Sequence, residues 1–95
     1  MKEYDFYEYH ENEDRIKLYS EDIQKYFENK YDIIIDSTDF DENQNVILYI
    51  EDLKDRTISS ELEKKLLEEI EHLNDVEVRN MKIILTFDCS DIELC

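Results

Sequence analysis

The chain has no glycine and no proline among its 95 residues, where average usage would supply about seven and about five per hundred. Whole classes of function fall with them. A Walker loop, a dinucleotide fingerprint and a kinase-type loop all need glycine so that backbone can approach phosphate. The same absence dictates how the chain turns. Asn and Asp are the residues other than glycine that best tolerate positive φ, and Asn29, Asn43, Asn45, Asn74 and Asn80 fall where turns are wanted. Cysteine is scarce as well: Cys89 and Cys95, both late in the chain, make no disulfide framework. No run approaches the roughly 18 apolar residues of a membrane span. The opening MKEYDFYEYH lacks a basic segment followed by an apolar one, so no signal peptide is expected and a cytoplasmic location fits.

Basic residues are the last shortage. Eleven Lys and Arg face 27 Asp and Glu, a net charge of −16, whereas solubility asks only for a magnitude of about 2–8. Two carboxylates about 7 Å apart in water repel by roughly 0.6 kcal/mol before screening. Many such pairs weigh on a folding stability of about 5–15 kcal/mol, so stability is expected to rise with salt from low ionic strength. Hydrophobic residues nonetheless reach 41 %, with seven Tyr and four Phe, which is not the composition of a disordered chain. One domain spanning residues 1–95 is expected.

The pattern along the chain reads as α+β. Residues 4–10 are aromatic-rich and suit a strand, with Tyr4, Phe6 and Glu8 on one face and Asp5, Tyr7 and Tyr9 on the other. Ser20 is placed to cap a helix in which Ile23, Tyr26, Phe27 and Tyr31 recur at helical spacing. The helix should end near Asn29 or Lys30. Residues 31–36 and 45–50 are short β-branched runs, joined by a long hairpin connection. Ser60 with Glu63 forms a capping box ahead of the stripe Leu62, Leu66, Ile70 and Leu73, and Asn74 is placed to end that second helix. Residues 76–87 read as strand, broken at Asn80, with Met81, Ile83, Leu85 and Phe87 on one face. The order βαββαβ implies a ferredoxin-like antiparallel sheet with two helices on one face. Ile34, Ile47, Tyr49 and Ile84 would then lie on the other face, which a homodimer, or the chain's own termini, would cover.

No motif assigns a reaction. Asp39, Asp41, Asn43 and Asn45 alternate like the start of a calcium loop, but the sixth position is Gln44 instead of Gly and the twelfth is Ile50 instead of Glu. A solvated hairpin loop is the simpler reading. Cys89, Cys95, His10 and His72 lack zinc-ligand spacing. Acid pairs abound, yet no pocket is marked that would drive two carboxyl pKa values apart. No metal, no cofactor and no enzyme activity are expected. Direct nucleic-acid binding is excluded by charge, since it draws on Lys and Arg. No membrane partner is expected either.

What remains is where the charge lies. Residues 1–14 carry six acids and one Lys, residues 32–45 five acids and no base, and residues 58–75 six acids and two Lys. Residues 15–31, by contrast, hold four bases and three acids. Strands repeat side chains on one face every roughly 6.6 Å and helices bring i and i+4 together, so either can set carboxylates in rows, as phosphates are set along a duplex. In size, acidity and mixed pattern the chain resembles phage-encoded DNA-mimic inhibitors, a class including anti-restriction and anti-CRISPR proteins. Within that class it is most similar to inhibitors of the bacterial histone-like protein HU. The resemblance implies a non-enzymatic protein whose carboxylates occupy the basic surface of a DNA-binding partner and displace DNA. The candidate phosphate surrogates are Glu11, Glu13 and Asp14 in the first acidic loop, Asp36, Asp39, Asp41 and Glu42 around the hairpin, and Glu61, Glu68 and Glu71 on the second helix. The rival reading is an assembly module that binds through its apolar sheet face.

Overall fold

A computed structural model describes residues 6–52, 59–89 and 91–95. The element order is β1 (Tyr7–His10), a single 3-10 turn (Glu11–Glu13), β2 (Arg15–Leu18), α1 (Ser20–Tyr31), β3 (Ile34–Phe40), β4 (Val46–Asp52), α2 (Ser59–Glu69), β5 (Leu73–Arg79), β6 (Lys82–Phe87) and β7 (Asp91–Leu94). The class is α+β, with two helices and antiparallel sheet.

The expected βαββαβ sheet is not what the strands build. They form two sheets, a four-stranded one in the order β3-β4-β6-β5 and a three-stranded one in the order β1-β2-β7. The first strand, which a ferredoxin-like sheet would hold among the others, instead folds back on β2, with Tyr7 opposite Leu18 and Tyr9 opposite Ile16. Asp14 makes that reversal possible: it takes the left-handed conformation at φ 49° and its N–H closes on the Glu11 carbonyl. Ile16 and Leu18 are fully buried, alternating with Arg15 and Lys17. The C-terminal β7 then adds to β2 in parallel, and the backbone of Cys95 bonds to both Leu18 and Ser20.

Helix α1 forms as expected, with Ile23, Tyr26 and Phe27 buried and Tyr31 packed beside them. Its cap is corrected. Tyr19 is the extended residue before the helix and Ser20 lies inside it, donating its hydroxyl to the Cys95 carbonyl at 2.6 Å. At the far end Asp32, not Asn29, turns left-handed at φ 54° and returns its N–H to Glu28 and Phe27. Helix α2 shows the same kind of correction. Ser60 lies within it, and the Glu63 carboxylate accepts the Val78 backbone N–H of β5 at 2.8 Å. That carboxylate serves a neighbouring strand through one oxygen. His72, not Asn74, takes the positive φ (68°) after this helix, and Asn74 belongs to β5.

The long strand expected over residues 76–87 is a hairpin. Asn80 and Met81 both have positive φ, 49° and 61°, the signature of a two-residue type I′ turn. Met81 therefore leaves the strand, while Ile83, Leu85 and Phe87 keep the buried face. One apolar cluster unites Phe6 and Tyr7, β2, both helices and the inner faces of β3 to β6. Aromatic rings tie its parts: Phe6 meets Tyr26 edge-on at 4.9 Å, and Tyr7 lies 5.5 Å from Phe87. The outer face of the four-stranded sheet carries Ile47, Tyr49 and Ile84 half-buried and Ile34 exposed, as the alternation implied.

Candidate partner-binding surface

The ten candidate acids lie on three stretches of the chain. Glu11 and Glu13 lie in the 3-10 turn with Asp14 as its left-handed cap. Asp36 and Asp39 are on β3, with Asp41 and Glu42 in the turn after it. Glu61 and Glu68 are on α2, and Glu71 follows its end. All but Asp41 are exposed. Sequence separation put them in three groups, and the fold brings β1, which leads into Glu11, beside Glu71: the Tyr7 hydroxyl donates to the Glu71 carbonyl and Tyr9 stacks on His72.

Their surroundings differ. Glu13 pairs with Arg15 at 3.3 Å, and Arg15 also holds Asp91 at 3.1 Å. Among the described residues, Glu11, Asp36, Asp39, Glu42, Glu61 and Glu68 form no ion pair. Asp39 turns one oxygen to its neighbour's N–H, that of Phe40, at 2.8 Å. Lys25 and Lys30 on α1 bond to Glu21 and Glu69, while Lys82 lies over the Tyr49 ring. These cations therefore serve acids or rings outside the candidate set.

Asp41 is a different object from its neighbours. One of its oxygens accepts the backbone N–H groups of Asn43 and Asn45 at 2.8 and 2.9 Å, and the other accepts the Asn45 side chain at 3.0 Å. The Asn45 N–H holds the Asp41 carboxyl below its ordinary pKa; slight burial opposes this, and the Asn45 side chain and the Asn43 N–H reinforce it. Gln44 supplies the positive φ (62°) that a glycine would ordinarily supply. The alternation that resembles a calcium loop is thus a turn folded around its own aspartate. Asn45 also reaches across to Thr86 at 3.1 Å, tying that turn to β6.

Sequence reasoning missed the acid with the densest set of partners. Glu69 Oε2 accepts the hydroxyls of Tyr26 (3.0 Å) and Tyr31 (2.8 Å) and the ammonium of Lys30 (3.1 Å). Burial pushes the Glu69 pKa up, but Tyr31, Lys30 and Tyr26 together outweigh it and hold the carboxyl below its usual range. Burial, with help from Glu69, raises Tyr31 to about 12, and burial, with Tyr31 and then Glu69 beside it, raises Tyr26. The available signal was two tyrosines at i and i+5 on one helix with a lysine between them, a set that wants an acceptor from outside. Lys30 also lies 5.3 Å from the Tyr26 ring. An open depression of about 470 Å³ beside this junction is lined by Asp22, Lys25, Tyr26, Asn29 and Lys30, all from α1.

The thiols and histidines do not converge. Cys89 bonds to the carbonyls of Asp14 and Asp91, and burial pushes its pKa up. Cys95 is exposed, and His72 stacks on Tyr9 at 3.9 Å. Among the described residues, no group of three or more His, Cys, Asp or Glu is placed to hold a metal ion, and no helix is long and apolar enough to cross a membrane. No protein-family model matches the chain, and no curated protein or solved structure matches it.

Proposed function

We propose that the chain is a non-enzymatic inhibitor that presents exposed carboxylates to the basic surface of a DNA-binding protein and competes there with DNA. The observation that carries this reading is the set Asp36, Asp39, Glu42, Glu61 and Glu68: exposed, and without an ion pair among the described residues. Each is open to a cation from outside, and a partner's Lys or Arg supplies one. Such complementary fields steer association and set its rate. The histone-like protein HU is the partner that the resemblance favours; a restriction or CRISPR enzyme would present the same chemistry.

The test replaces Asp36, Asp39 and Glu42 by Lys in one variant and leaves Asp41 in place, because Asp41 holds the turn. Displacement of labelled DNA from HU should be lost in this variant, while its circular dichroism spectrum stays that of the wild type. Displacement as strong as that of the wild type would refute the reading.

The assembly-module reading has one observation of its own, the half-buried Ile47, Tyr49 and Ile84 on the outer sheet face. Binding that survives the Lys substitutions and fails on Ile84→Glu would favour it.

A further inference from the structure

The outer face of the four-stranded sheet joins an apolar middle to acidic edges. Strand register lays rows across β3, β4, β6 and β5. One row runs Asp39, Ile47, Ile84, Glu77 and the next runs Ser37, Tyr49, Lys82, Arg79. On the other side of the first, Asp75 stands opposite Thr86, whose hydroxyl donates to the Asn45 side chain. Ile47 and Ile84 face each other on the two central strands, both half-buried. Acids stand at either edge, Asp39 on β3 and Asp75 and Glu77 on β5, and Glu51 follows Tyr49 on the same face of β4. Three strand spacings, about 14 Å, separate the two edges. The bases on this face are already engaged: Arg79 bonds to Glu77 at 2.8 Å, and Lys82 lies 5.5 Å from the Tyr49 ring. Asp39, Glu51 and Asp75 form no ion pair among the described residues.

From this arrangement, and resting on the competitive reading above, we infer that the sheet face seats one element of the DNA-binding partner, an element that carries an apolar side chain between Lys or Arg residues. Its apolar side chain covers Ile47 and Ile84. Its cations reach Asp39 at one edge and Asp75 at the other, with Glu51 beyond Tyr49. Acids alone would suit any polycation, and the apolar strip alone any hydrophobic surface. Set side by side, they select a cationic element with an apolar centre. Proteins that kink DNA carry such an element, an apolar wedge pushed between base steps with Arg or Lys beside it in the minor groove. An element as wide as a helix, about 10–12 Å, reaches both edges at once. The partner-binding set thereby gains Glu51, Asp75, Ile47 and Ile84, which lie outside the ten candidate acids.

The test is direct binding of the whole chain to HU by titration calorimetry, without DNA, at stepped salt from about 50 to about 300 mM. Ile47→Thr with Ile84→Thr removes the apolar strip and keeps β-branched side chains on the strands. Glu51→Gln with Asp75→Asn removes charge and keeps shape. Ile84→Leu keeps the strip apolar and serves as the control. Urea unfolding of each variant checks the fold, and Ile84→Thr alone replaces the double variant if that one unfolds. The Thr variant should bind about ten-fold more weakly at every salt step, with the salt dependence of the wild type and a less negative heat-capacity change. The amide variant should weaken most at low salt, with a shallower salt dependence. Ile84→Leu should bind as the wild type does. A Thr variant that binds as tightly as the wild type, or an amide variant with unchanged salt dependence, would overturn the inference while DNA competition by the wild type stands. A wild type that binds HU through this face without displacing DNA would sink the competitive reading alone, and one that does not bind HU would sink both.

Discussion

At the junction of α1 and α2, one oxygen of Glu69 receives two tyrosine hydroxyls and an ammonium; along β3 and its turn, Asp36, Asp39 and Glu42 have no ion pair among the described residues. Both regions belong to one acidic chain, and composition cannot tell them apart. The difference lies in geometry. Glu69 sits on the last turn of α2, facing the helix whose Lys30, Tyr26 and Tyr31 converge on it, so its charge stabilises the fold. The β3 acids stand on an edge strand and have no ion pair among the described residues, so their charge repels. Charged side chains on an edge strand also guard against pairing with other chains. The fold tolerates these acids without needing them.

Removing the two kinds of acid should therefore move stability in opposite directions. Glu69→Ala should have the largest effect, a loss of about 1–2 kcal/mol in urea unfolding, with solvent screening of a side chain 35 % exposed allowed for. A loss no larger than that of Glu68→Ala would break the contrast. Next in size is the pH response. The folded pKa values of Glu69 and Asp41 lie below the ordinary 4.5 and 3.8. The stability they add is complete above those ordinary values and drains away as pH falls through them toward the lower folded values, because the unfolded chain takes up protons first. Tyr26 and Tyr31 act in the opposite direction. Their folded pKa values lie above 10, so their contribution is complete below 10 and is lost as pH rises from there toward about 12. Thermal midpoints should fall at both ends, and Glu69→Ala should flatten the acid arm.

Within the β3–β4 turn the contrast can be drawn between neighbours. Asp41→Ala should lower the thermal midpoint, and Asp39→Ala should leave it nearly unchanged, since Asp41 holds three hydrogen bonds there and Asp39 one local one. Smallest is the salt effect. The wild type should gain stability as salt rises from low ionic strength. The triple variant Asp36→Asn, Asp39→Asn and Glu42→Gln should start about 0.5 kcal/mol more stable and gain less. Equal salt slopes would mean that these acids do not repel.

The helices were legible because their apolar stripes have one period and end in tolerant residues. The two sheets were not. Residues 15–18 alternate over only four positions, too short a run to stand out, and β7 has only Ile92 and Leu94 to mark it. Their pairing depends on Asp14 turning left-handed, and several residue types share that capacity. Without glycine, the turn positions could not all be read from the usual marker: His72 takes positive φ where Asn74 had the better claim and Gln44 where Asn43 and Asn45 had it, while Asn80 does turn left-handed, joined by Met81. Among the acids, exposure was legible from pattern, since Glu61 and Glu68 lie off the apolar stripe of α2. The roles of Asp41, Glu63 and Glu69 were not, because each depends on a donor that the fold brings up: a turn N–H, a β5 N–H and two hydroxyls of α1.

The central claim is that these exposed acids stand in for phosphates. Its most direct measurement is displacement of labelled duplex DNA from HU by the wild-type chain, titrated at stepped salt from about 50 to about 300 mM. The account predicts full displacement at low salt with a midpoint that weakens steeply at each step, and no displacement by the Asp36, Asp39 and Glu42 to Lys variant. No displacement by the wild type at any salt, or a midpoint indifferent to salt, would contradict it.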